Sequence, residues 1–102
     1  MSAHQLAEDC CTIRGILDLF EENPATVLTV QLVAMTQHVS QDTARRLLRN
    51  MAAAGVIERP VREAELPGLG TIQKVPCIGW QLTEKAKRGE IPGAEGLARG
   101  MA

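Results

Sequence analysis

Eight polar side chains that can donate or accept paired hydrogen bonds crowd into one short stretch: Ser40, Gln41, Asp42, Thr43, Arg45, Arg46, Arg49 and Asn50. Each guanidinium offers parallel N–H groups to a pair of acceptors, and each carboxamide sets a donor beside an acceptor. Arg is therefore suited to guanine O6 and N7, and Gln or Asn to adenine N6 and N7. Arginines towards the rim of such a surface would hold phosphate oxygens, fixing register without reading sequence. The competing reading is a solvated helix face with no ligand. No other chemistry has comparable support. The chain lacks a Ser/His/Asp constellation, a paired-carboxylate pattern and a phosphate-cradling glycine loop, so an enzyme is not expected. Gly68-Leu69-Gly70 reads as a turn, with no helix start behind it. No cofactor is implied.

The apolar residues between those polar groups decide where they point. Ala44, Leu47, Leu48 and Met51 repeat at spacings of three and four, the inward stripe of a helix predicted over 41–54. Gln41, Asp42, Thr43, Arg45, Arg46, Arg49 and Asn50 then project away from the core. Ser40 is the N-cap, Asp42 suits the positive end of the helix dipole, and Gly55 can close the C-terminus in a left-handed conformation.

Two helices should precede this one. Leu6, Cys10, Ile13, Leu17 and Phe20 form a 4-3-4-3 stripe widened by Ile16, ended by Asn23-Pro24. Thr29 caps a shorter helix carrying Leu32, Val33 and Met35 inward. Val30 to Arg49 then reads as a helix-turn-helix. Its fifth residue, Ala34, is small where helices cross closely. His38 is ninth, in a turn that often needs positive φ. Val39 is tenth and pins the turn, while Ala44 and Leu47 face inward.

After Gly55 the period changes. Residues 56–59 read as a short strand stopped by Pro60, residues 71–75 are β-prone, and residues 77–82 resemble a closing strand with Ile78, Trp80 and Leu82 on one face. Arg59 to Lys74 is expected as a mobile hairpin loop whose prolines and glycines break the ladder. It would carry Arg62 and Lys74 to the flank of a bound duplex. Trp80 packs under that hairpin, and Thr83 caps a short helix to Arg88. The predicted fold class is mainly α with a small β-wing (α+β), over residues 1–88. Residues 89–102 are expected to form a flexible tail.

The run Leu28-Thr29-Val30-Gln31-Leu32-Val33-Ala34, continuing through Val39-Ser40-Gln41-Asp42-Thr43-Ala44-Arg45-Arg46-Leu47-Leu48-Arg49 to Ala54-Gly55-Val56-Ile57-Glu58-Arg59, resembles the winged helix-turn-helix of bacterial transcription regulators. Its cadence is similar to the IclR type and its MarR-like relatives. Gly79-Trp80-Gln81-Leu82-Thr83-Glu84-Lys85-Ala86 resembles the last wing strand and the turn behind it. The resemblance implies that the third helix and the wing bind double-stranded DNA to regulate transcription. Residues 60–79 are longer than that pattern, and no ligand-sensing domain accompanies it.

Composition fits this picture with one reservation. The 102 residues carry a net charge of −1. Residues 1–40 hold five acids against Arg14, a net of −4, and residues 41–102 hold ten bases against seven acids, a net of +3. One half could therefore face a polyanion. The overall acidity favours the alternative, a winged helix that binds protein and not DNA. The acidic outer face of the first helix is a candidate partner surface, and a homodimer is expected because one small module covers little DNA. No apolar run reaches the roughly 20 residues of a membrane span. The N-terminus lacks a secretion signal, and three cysteines without C-x-x-C spacing suggest reduced thiols in the cytoplasm. Cys10, Cys11 and Cys77 are poorly placed to converge on a tetrahedral metal, so no metal is expected.

Overall fold

The computed structural model describes residues 3–65, 68, 70, 72–76 and 78–100. Helix α1 spans Ala3–Glu22, α2 Val30–Gln37 and α3 Gln41–Ala53. Four strands follow: β1 (Ile57–Glu58), β2 (Val61–Glu65), β3 (Ile72–Pro76) and β4 (Gln81–Leu82). Helices α4 (Glu84–Lys87) and α5 (Ala94–Arg99) complete the order. The fold is mainly α with small antiparallel two-stranded sheets behind the helices.

Local chemistry sets the helix ends. The Thr29 and Ser40 hydroxyls accept from the backbone N–H of Leu32 and Thr43, at 3.2 and 3.1 Å, each satisfying one of the open donors of a first turn. His38 closes α2 in the left-handed region at φ 55° and ψ 43°, the ninth position where the pattern asked for positive φ. Gly55, at φ 77°, does the same after α3. Thr83 caps α4 by accepting from Ala86 N–H and ties that cap to α3 by donating to the Gly55 carbonyl at 2.6 Å.

One aliphatic core joins these elements. Ile13, Ile16 and Phe20 of α1 meet Val33 and Ala34 of α2, Ala44, Leu47, Leu48 and Met51 of α3, and Val56, Ile57 and Leu82 beyond. Leu28 is buried too, and its backbone exchanges two hydrogen bonds with Trp80, of 2.7 and 2.8 Å. The predicted core therefore holds at Phe20, Val33, Ala44, Leu47, Leu48, Met51, Ile57 and Leu82, while Leu17 and Val39 are only partly buried.

Three expectations need correction. In α1 the predicted stripe holds at Ile13, Ile16 and Phe20, but Asp9 and not Cys10 completes the buried line, and Leu6, Cys10 and Leu17 lie at its edge. In α2 the inward pair is Val33 and Ala34, which leaves Leu32 40% and Met35 73% exposed; eight residues bury one narrow face. Ile78 is 88% exposed and lies before β4, not on a face with Trp80 and Leu82.

The tail and the hairpin also differ from expectation. Residues 94–99 form α5, whose Leu97 and Ala98 are buried in the common core. Its glycines sit at the ends of the helix or on its outer side: Gly93 is the N-cap, and Gly100 closes it at φ 77°. The hairpin strands pair in register, Val61 with Pro76, Glu63 with Lys74 and Glu65 with Ile72. Pro60 precedes this ladder and Pro76 is its terminal rung, so neither interrupts it. Leu66, Pro67 and Leu69 of the turn-rich segment, Thr71 of the β-prone segment and Cys77 of the predicted closing strand lie outside the described residues. Hairpin β2–β3 is nested in the chain between the strands of sheet β1–β4, in which Ile57 lies opposite Leu82 and Glu58 opposite Gln81. Among the described residues no helix is long and apolar enough to cross a membrane.

Candidate nucleic-acid interface

Helix α3 is the element that carries the candidate groups, and its two flanks are already occupied. On one flank, Arg46 Nη1 and Nη2 donate to the two carboxylate oxygens of Asp9 at 3.0 and 3.1 Å. The Asp9 side chain is 2% exposed and that of Arg46 41%. Gln5 also donates to Asp9, at 3.1 Å. This fork-to-fork geometry is the strong form of a charged hydrogen bond, and it couples α3 to α1. On the other flank, Asn50 donates to the Ala98 carbonyl at 3.5 Å, a weak bond that faces α5.

Between these flanks the exposed face of α3 presents Gln41, Asp42, Arg45 and Arg49. Arg45 lies 3.1 Å from Asp42, with side chains 46% and 96% exposed. A pair in that much water is weak and readily exchanged. Ser40 and Thr43 are committed to the cap: Ser40 Oγ also donates to Thr43 Oγ1 at 3.0 Å. Asp42, Arg45, Arg46, Arg49 and Asn50 line one shallow depression of about 520 Å³. Of the predicted outward set, Gln41, Asp42, Arg45 and Arg49 are exposed, whereas Thr43, Arg46 and Asn50 are half-buried.

A second depression, of about 310 Å³, runs from the start of α2 to the strands. Thr29, Val30 and Gln31 form one wall, Gln41 and Arg45 the next, and Arg59, Gly79 and Trp80 the last. The Arg59 guanidinium sits 4.8 Å from the Trp80 ring centroid, a cation–π contact that holds the charge over this groove. Sequence reasoning missed Thr29, Gln31 and Arg59 as neighbours of Gln41. The available signal was Arg59 itself, a cation immediately after a strand that must end beside the helix.

Gly79 makes this wall possible. Its φ is 122°, and a Cβ there would lie 2.6 Å from Val27 Cγ1 and 2.9 Å from the Leu28 carbonyl oxygen. The backbone atom cannot yield. Gly79→Ala should therefore destabilise the fold by about 1–3 kcal/mol, read as a lower midpoint in urea with unchanged slope.

Lys74 is exposed on β3 opposite Glu63. Arg62 pairs through its backbone with Val75, and its side chain lies outside the described residues. Cys10 and Cys11 carry free thiols. Among the described residues, no three His, Cys, Asp or Glu side chains gather as metal ligands would. Comparison of the chain with models of protein families, with curated proteins and with solved structures found no match.

Proposed function

We propose that this chain is a winged helix-turn-helix DNA-binding domain acting in transcriptional regulation. The observation that carries the reading is the exposed row Gln41, Arg45 and Arg49 on a capped helix, continuous with a groove walled by Thr29, Gln31 and Arg59. In such domains the second helix of the pair enters the major groove, with its N-terminal residues on base edges. Gln41 is the base reader of this set. Arg45 and Arg49 hold phosphate or guanine, and Arg59 holds phosphate at the edge. Arg62, in the hairpin, is assigned to flanking DNA.

The test is a selection from a random double-stranded DNA pool, followed by fluorescence anisotropy on an enriched and a scrambled duplex across a salt series. Wild-type affinity should fall steeply as salt rises. Arg49→Ala should weaken binding to both duplexes and flatten the logarithmic salt dependence by about 0.9, the loss of one phosphate contact. Gln41→Ala should instead erode discrimination between duplexes by roughly 1–3 kcal/mol. Arg46 is left intact in these variants, because its removal disturbs the fold.

A second reading, a winged helix that binds protein, has its own support. Arg46 is engaged with Asp9, Arg45 lies beside Asp42, and the net charge is −1. No enrichment from the pool, with Arg45→Ala and Arg49→Ala proteins folded, would move this reading to the front.

A further inference from the structure

Among the described residues, hairpin β2–β3 pairs only with itself. The molecule measures 54 × 29 × 23 Å, elongated for its size, and the Cα radius of gyration is 15.1 Å against about 13 Å for a compact chain of this length. A lone two-stranded ribbon is marginal in water and needs a third layer or strand to cover it.

One face of that ribbon is marked. Alternation along the strands places Val61, Glu63 and Glu65 of β2 and Ile72, Lys74 and Pro76 of β3 on the same side. Val61 is 59% and Ile72 69% exposed. They occupy opposite corners of the face, at opposite ends of the ladder and on different strands. Glu63 and Lys74 lie side by side between them, both exposed.

We propose that this face is where two copies of the chain associate. A two-fold axis lying between two facing ribbons, along the Val61–Ile72 diagonal, brings Val61 against Val61 and Ile72 against Ile72. The same operation sets each Glu63 over the other copy's Lys74. The centre of the face is thus self-complementary in charge, as an isologous contact requires, while positions 65 and 76 fall at its margins, off the diagonal. With two acidic positions, 63 and 65, to one basic position, 74, the face suits a polyanion poorly, so this part of the hairpin faces protein. The face is small against the surface a stable complex buries, which makes the association weak and concentration-dependent. It goes beyond the DNA reading and does not depend on it.

Sedimentation equilibrium without DNA tests it, on the full chain up to about 1 mM, a range that captures weak dimers. Wild type should form dimers. Glu63→Lys and Lys74→Glu should each weaken association by roughly 100-fold or more, because like charges then meet twice. Mixing those two variants should restore dimers, as opposite charges meet again across the mixed pair. That rescue separates a surface effect from damage inside one hairpin, which a second chain cannot repair. Circular dichroism would establish that both variants are folded. A wild type that stays monomeric, dimers indifferent to both reversals, or a mixture that stays monomeric would each overturn the proposal.

Discussion

Arg46→Ala should lower stability by about 3 kcal/mol, although it removes a side chain that is 41% exposed. The loss arises on the partner. Asp9 is 1% exposed, and without the guanidinium its carboxylate keeps only the Gln5 amide, at 3.1 Å, of the hydrogen bonds identified above. Removing one partner of a buried pair leaves an uncompensated charge, which costs far more than the pair itself contributes. The reverse substitution should be milder. Asp9→Ala frees an arginine already close to water, and roughly 1 kcal/mol is expected. Replacing both residues with apolar side chains of similar volume should return stability close to wild type. Urea denaturation of the two single variants and the double variant forms the cycle that checks this. Equal losses for the two single changes would show that the asymmetry of burial does not govern the pair.

Leu47→Ala should cost about 2–5 kcal/mol. Leu47 is 0% exposed at the centre of the shared core, where α1, α2 and α3 meet with little freedom to collapse into a void. Leu32→Ala is the matched control. Leu32 is equally large and only fifteen residues away, yet 40% exposed on the outer side of α2, and its change should fall within about 0.5 kcal/mol. Thermal or chemical unfolding of both variants measures the contrast. Similar losses at both positions would mean that the outer face of α2 is covered in solution.

Helix α3 was the most legible part of the sequence, because cap, stripe and closing glycine agree. Ser40, the Ala44–Leu47–Leu48–Met51 stripe and Gly55 each specify the same helix, and local and long-range preferences do not conflict there. His38 was legible too, as a non-glycine residue at a place that needs positive φ. Helix α1 was read correctly at Ile13, Ile16 and Phe20, but apolarity alone chose Cys10 over Asp9 for the buried line. A buried carboxylate is invisible to a hydrophobic pattern; what discloses it is a partner 37 residues later on another helix. The site suffered from the same blindness. Outward period placed Arg46 and Asn50 among the free groups, but period cannot show which outward side chains a neighbouring helix will claim. Residues 94–99 were missed because the glycines at 89, 93, 96 and 100 made the tail read as unstructured, whereas Leu97 decides the burial of the helix.

The Asp9–Arg46 fork also bears on how this protein can change over generations. A lineage that lost either residue alone would pass through a less stable intermediate, so the two positions should be inherited together or replaced together. Gln41, Arg45 and Arg49 carry no such tether to the interior. Helix α3 therefore contains one position held fast by the architecture beside three that selection can revise singly, and whatever this surface recognises can drift without rebuilding the scaffold beneath it.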